Sequence, residues 1–193
     1  MRRKWLIALN LLLLVAIVGV ALFRMPASSP NMATGGDFTL TGKQGPVALH
    51  DFKGKLVLLY FGYTFCPDVC PTSMVVWSQV LNALSAEEQS RVQPIFVSVD
   101  PERDTPERLA EYAPFFHPAI IGLSGTPEHL REIAARYGAF YARQENVSAG
   151  GYVFDHTAAS FVIDADGRLV ASIPHATPPD AFVAVLRQHL PKH

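Results

Sequence analysis

Residues Lys55 to Gly62 read KLVLLYFG, an unbroken apolar run closed by a glycine. A strand without polar alternation has no face to give to water. It must be covered on both sides, as the central strand of a parallel sheet is. Gln93 to Val99, QPIFVSV, is a second run of this kind. Between them Met74, Trp77, Leu81 and Leu84 recur at helical spacing and predict a helix over about Pro71 to Leu84. Two buried strands joined by a crossover helix form a right-handed parallel unit.

The rest of the chain extends this unit. Thr105 to Phe116 and Thr126 to Tyr137 are predicted helices, each opening on Thr-Pro-Glu, a hydroxyl cap followed by proline in the first turn. Ile120 to Leu123 is a short strand between them. Gly138 to Phe154, with Gly150-Gly151, is predicted to be irregular. Ala159 to Ala165 and Arg168 to Ile173 read as a hairpin around Asp166-Gly167, and Pro179 to Leu190 as a last amphipathic helix. Ahead of all these, Phe38 to Leu40 and Val47 to Leu49 flank a Gly-Lys-Gln-Gly turn. The expected fold is α/β: a thioredoxin-like sandwich with an N-terminal β-hairpin extension. A chain of 193 residues accommodates one such domain.

Trp5 to Phe23, WLIALNLLLLVAIVGVALF, is apolar apart from Asn10. As a helix it matches a hydrocarbon core of roughly 30 Å. It exceeds the apolar core of a cleaved signal peptide, about 7–15 residues. Arg2, Arg3 and Lys4 precede it and Arg24 alone follows, which orients the N-terminus toward the cytoplasm. Residues 1–24 are therefore expected to be a transmembrane anchor, 25–36 (MPASSPNMATGG) a flexible linker, and 37–193 the folded domain outside the cytoplasm. A signal peptide ending at Gly19-Val20-Ala21 is the alternative. The net charge of −1 and the lack of any other basic tract argue against a nucleic-acid partner.

The two cysteines, Cys66 and Cys70, lie between the first buried strand and its helix, in GYTFCPDVCP. Open α/β sheets carry functional groups at the carboxyl ends of strands, and a helix N-terminus stabilises thiolates. A structural disulfide would close a very short loop and stabilise little. Dithiol–disulfide exchange and soft-metal binding both fit the pair. Metal binding needs a third donor. Among seven histidines, His156 precedes a predicted central strand and would face the cysteine loop. His175, after the last strand, is its main rival. His50 and His117 sit at turns and are expected to be solvated. Met74 is assigned to the core, and Arg103 and Asp104 to ordering the loop after the second buried strand. Asp100, at the end of that strand, could line the site or serve the turn.

The segments GYTFCPDVCPTSM, FVSVDPERDTPERL and YVFDHTAASFVIDADGRLV, in this order and spacing, resemble the Sco/SenC family of membrane-anchored copper chaperones. The resemblance runs from about Asp37 to Leu190. It implies a thioredoxin-like domain whose copper ligands are Cys66, Cys70 and His156, with Asp155 beside the histidine as an outer-sphere partner. It implies copper as the metal, as Cu(I) and also as Cu(II), and delivery to the copper-receiving subunit of cytochrome c oxidase. Other copper chaperones are further implied partners. The expected location is the bacterial inner membrane with the domain in the periplasm, the mitochondrial inner membrane being less favoured. The alternative function is an envelope thiol–disulfide oxidoreductase that reduces a partner's cysteines. Protein purified from membranes is expected to retain Trp5 to Phe23, and N-terminal sequencing that begins after Ala21 would contradict the anchor.

Overall fold

A computed structural model describes residues 33–145 and 151–191. The predicted anchor and most of the linker lie outside these residues. Among the described residues no helix is long and apolar enough to cross a membrane.

The first elements are β1 (Thr39–Gly42) and β2 (Gly45–Ala48), an antiparallel hairpin. The predicted central strand is β3 (Leu56–Gly62), and every residue of it is buried. It pairs in parallel with β4 (Val92–Ser98), in register from Leu56↔Val92 to Gly62↔Ser98. On its other side it pairs antiparallel with β8 (Ser160–Ile163). With β5 (Ile121–Leu123) and β9 (Leu169–Ile173) the sheet order is β5-β4-β3-β8-β9. The continuous apolar run thus sits in the middle strand, where both faces are covered.

The crossover helix α1 spans Val69–Asn82, two residues earlier than predicted. Pro71 does not block this start, because it falls in the first turn, where the amide it lacks has no intrahelical acceptor. The consequence is that Cys70 is helical. Trp77, fully buried, donates its indole N–H to Ser160 Oγ at 2.8 Å and fastens α1 to β8.

Helix α2 (Ala86–Ser90) carries a reciprocal cap between Ser85 and Glu88. Helices α3 (Pro106–Phe116) and α4 (Pro127–Arg136) start where the Thr-Pro-Glu signals predict, with the Thr105 and Thr126 hydroxyls each accepting a backbone N–H at 3.3 Å. Helix α5 (Pro179–His189) packs on α1. The hairpin β1–β2 is tied to the end of β5 by paired Thr41 and Ser124 backbone bonds of 2.7 and 3.0 Å. Gly35 and Gly36 hold the start of the domain to the end of α4. The Gly35 amide donates to the Arg136 carbonyl at 2.9 Å, and the Tyr137 hydroxyl donates to the Gly36 carbonyl at 2.7 Å.

One expectation fails. Among the described residues of 138–154 there is regular structure: β6 (Tyr141–Glu145) pairs antiparallel with β7 (Tyr152–His156), Tyr141 opposite His156. This two-stranded sheet forms no ladder with the main sheet. Its residues are only partly buried, so its sequence lacks the apolar run or clean alternation that marks a core strand. Being in β7, His156 is placed by regular structure rather than by a loop.

Candidate metal centre

The end of β3 and the first turn of α1 meet at Cys70. Its side chain is fully buried, whereas Cys66 remains 8% exposed. The N-cap residue Asp68 makes no side-chain cap bond. The Cys70 amide donates instead to Cys66 Sγ at 3.4 Å, so a sulfur occupies the capping position at the positive end of the helix. Gly62 is the residue this arrangement demands: a Cβ there would lie 2.8 Å from Cys70 Sγ and 2.9 Å from ring carbons of Phe96 and Tyr60. Such overpacking costs about 1–3 kcal/mol and would push Cys70 off the strand.

His156 reaches the pair from β7, with Nε2 at 3.2 Å from Cys70 Sγ. Its Nδ1 lies 3.3 Å from the Thr157 carbonyl oxygen. A carbonyl only accepts, so Nδ1 donates to it and Nε2 is the nitrogen turned toward the sulfurs. The imidazole is flanked edge-on by Tyr60 and Tyr63, each with its centroid 5.9 Å away and interplanar angles of 82° and 85°. The donor atoms of Cys66, Cys70 and His156 all lie within 4.8 Å of one another. Among the described residues no other cluster of three such donors forms. Two soft sulfurs and an imidazole nitrogen suit Cu(I), whereas the two-cysteine set falls short of a closed structural zinc site.

The two thiols are driven apart electrostatically. A hydrogen bond from the Cys70 thiol holds Cys66 far below its ordinary value of 9.0, outweighing the opposing effect of burial. Burial, reinforced by the neighbouring Cys66, pushes Cys70 far above 9.0. Without a cation the pair therefore shares one proton, with the negative charge on the more accessible sulfur.

The surrounding loops hold this geometry. Asp104, 1% exposed, accepts from the Thr64 amide at 2.8 Å, the Thr64 hydroxyl at 2.5 Å and the Ser98 hydroxyl at 2.6 Å. It staples the chain just ahead of Cys66 to the end of β4, the ordering role expected of it. Asp100 is not at the sulfurs: it accepts from Arg103 Nε and from the Tyr152 hydroxyl at 2.8 Å. Met74 is fully buried core.

Two readings of individual residues change, and the rival histidine is placed elsewhere. Asp155 is not the outer-sphere partner of His156. Adjacent strand residues point to opposite faces, and Asp155 accepts from Gln144 at 2.8 Å while the Thr157 carbonyl takes the imidazole proton. His117 is not solvated but 9% exposed, with burial lowering its pKa and Nδ1 accepting from the Ala119 amide at 3.2 Å. His175 lies outside the donor cluster, with Nδ1 3.0 Å from Ser73 Oγ. Tyr63 and Thr157, which orient the imidazole, carry no metal-ligand signal in the sequence.

A family model described as SCO1/SenC matches residues 26–191. The chain belongs to the SCO1/SenC family. It is 35% identical over 159 residues to a SCO2-like protein of Rickettsia conorii, spanning 81% of this chain and 77% of that protein. The solution structure of apo Sco1 from Thermus thermophilus shares 49% identity and superposes with a TM-score of 0.73, over 80% of this chain and 90% of that one. The copper-bound structure of ScoI from Bradyrhizobium japonicum shares 40% identity at a TM-score of 0.73, over 82% of this chain and all of that one, 100%. These likenesses bear out the thioredoxin-like α/β fold expected for this family.

The unequal thiols make a direct prediction. Iodoacetamide at pH 6, where an ordinary cysteine is protonated, should label reduced protein at Cys66, because only that sulfur is both ionised and accessible. Peptide mapping that finds Cys70 labelled first, or both equally, would contradict the assignment.

Proposed function

We propose that this protein is a copper chaperone that binds its cargo through Cys66, Cys70 and His156. It delivers the ion to the copper-receiving subunit of cytochrome c oxidase while that enzyme is assembled. The observation that carries this reading is the convergence of two sulfurs and one imidazole nitrogen within 4.8 Å. The family's association with cytochrome c oxidase assembly supports the destination. The name of the Bradyrhizobium relative, ScoI with copper bound, supports the cargo.

The physical sequence of events follows from the donors. An arriving Cu(I) displaces the remaining thiol proton, and its positive charge offsets the second thiolate that burial otherwise forbids. Three donors leave the ion open on the Cys66 side. A partner thiolate can therefore enter as Cys66 leaves, and the ion never becomes free. Oxidation of the pair to a disulfide releases two electrons and removes two of the three ligands, so redox state sets affinity. We place the domain outside the cytoplasm of a bacterial cell, tethered through residues 5–23 and spaced by the linker that leads to Gly35, where the domain begins.

The envelope thiol–disulfide oxidoreductase remains the second reading, favoured by one observation: an activated, accessible Cys66 backed by a buried Cys70. His156 separates the two functions, since exchange chemistry does not use it. Copper titration of the reduced full-length protein in detergent should give one Cu(I) per chain, and the disulfide form should retain none. His156→Ala should keep thiol–disulfide exchange but weaken Cu(II) more than about tenfold, ~1.4 kcal/mol, because the harder ion depends on nitrogen. If His156→Ala binds both copper ions like the parent, or His175→Ala alone produces the loss, the ligand assignment fails.

A further inference from the structure

The two cysteines and His156 arrive on separate pieces of structure. Cys70 is built into α1 and Cys66 into the short loop that joins β3 to it, whereas His156 ends a hairpin that has no ladder to the main sheet. At its His156 end the hairpin is joined by the chain, through Thr157 to Ala159, to β8. Its attachment farther out depends on side chains. Tyr152, Phe154 and His156 alternate onto one face of β7 and make successive contacts. His156 reaches Cys70. Phe154 packs on Tyr63 with ring centroids 5.5 Å apart and donates its amide to the Tyr63 hydroxyl at 3.1 Å. Tyr152 meets Arg103.

Arg103 is the residue where this contact concentrates. Its Nε donates to Asp100, which is 1% exposed, and its Nη1 donates to the Tyr152 carbonyl at 3.1 Å. Its guanidinium carbon lies 3.7 Å from the centroid of the Tyr152 ring, 4.7 Å from that of Phe65 and 5.8 Å from that of Tyr63. The Tyr152 hydroxyl returns to Asp100 at 2.8 Å. One planar cation thus touches the residue before Cys66 and the hairpin that carries His156. Its own position is fixed by a buried carboxylate. The Arg143–Glu102 pair at 3.0 Å adds a second link, but both partners are solvent-exposed, and such pairs contribute little.

We propose that Arg103 is a positioning residue for the copper site: by clamping Tyr152 to the cysteine loop it fixes the angle of the hairpin and so the place of His156 Nε2. This rests on the proposed copper-binding reading. The sulfurs have other supports: α1 and Gly62 place Cys70, and Cys66 is held by the hydrogen bond from its amide to the Tyr63 carbonyl at 3.3 Å, by the Thr64–Asp104 staple and by the Cys70 amide. Loss of Arg103 should therefore act on the imidazole alone. Cu(I) is satisfied by two thiolates, whereas Cu(II) needs the nitrogen, so the clamp decides how well the site holds the oxidised ion. Lysine is a poor substitute, since it has neither the planar face for Tyr152 nor the fork that serves Asp100 and the carbonyl together.

The test compares full-length parent with Arg103→Met, Arg103→Lys and, as a variant outside the main sheet, Tyr152→Leu. Arg103→Met should weaken Cu(II) by about tenfold or more, as loss of an outer-sphere support does, and change Cu(I) by less than about threefold. The Cu(II) electron paramagnetic spectrum should shift toward that of His156→Ala, and Arg103→Lys should fall between. In copper-free protein the Phe154 amide should exchange hydrogen faster in Arg103→Met than in the parent. Tyr152→Leu should repeat the selective loss, and it decides the matter if Arg103→Met does not fold. Folded variants with parental Cu(II) affinity and spectrum would overturn the inference, as would equal losses of Cu(I) and Cu(II). A parent that binds no copper would instead remove the proposed function.

Discussion

The bond from the Cys70 amide to the Cys66 sulfur is the contact on which the site depends. A helix beginning at Val69 leaves amides without intrahelical acceptors, and here a ligand sulfur takes one of them at 3.4 Å. On the proposed reading, capping and metal binding therefore fall to the same atom. The helix end favours negative charge on Cys66. The helix also carries Cys70 inward, against Gly62, where no charge is tolerated without a counterion. Moving the helix start by even one residue would rotate Cys70 by about 100° away from the other donors.

This division explains how one pair of thiols can serve copper. On the proposed reading, the less deeply buried sulfur of Cys66 captures or releases the ion, and Cys70 becomes a ligand only when a cation compensates its charge. His156 completes the set from a different part of the chain. Its orientation is secured by the Thr157 carbonyl and two tyrosine edges rather than by a carboxylate.

Much of this was legible in the sequence because the responsible residues act locally. KLVLLYFG could only be a central strand, and Thr-Pro-Glu marked two helix starts. Asp166-Gly167 marked a turn between paired strands. The cysteines were legible because strand, loop and helix follow one another in sequence. The misses share a physical cause, since each depends on contacts far apart in the chain. The hairpin of β6 and β7 is half-exposed and pairs only with itself, so it left no core pattern. His117 looks like a turn residue, but it is buried by tertiary packing. Asp155 adjoins His156 in sequence, yet strand alternation turns it to the other face. Nothing near Arg103 in the sequence announces Tyr152, which lies 49 residues further on.

The central claim is that copper sits between the two sulfurs and the imidazole of β7. X-ray absorption of the Cu(I)-loaded full-length protein measures this directly. The account predicts a three-coordinate ion with two sulfur neighbours and one imidazole nitrogen, the nitrogen disappearing in His156→Ala. A shell that keeps its nitrogen in His156→Ala, or that contains fewer than two sulfurs in the parent, would contradict it.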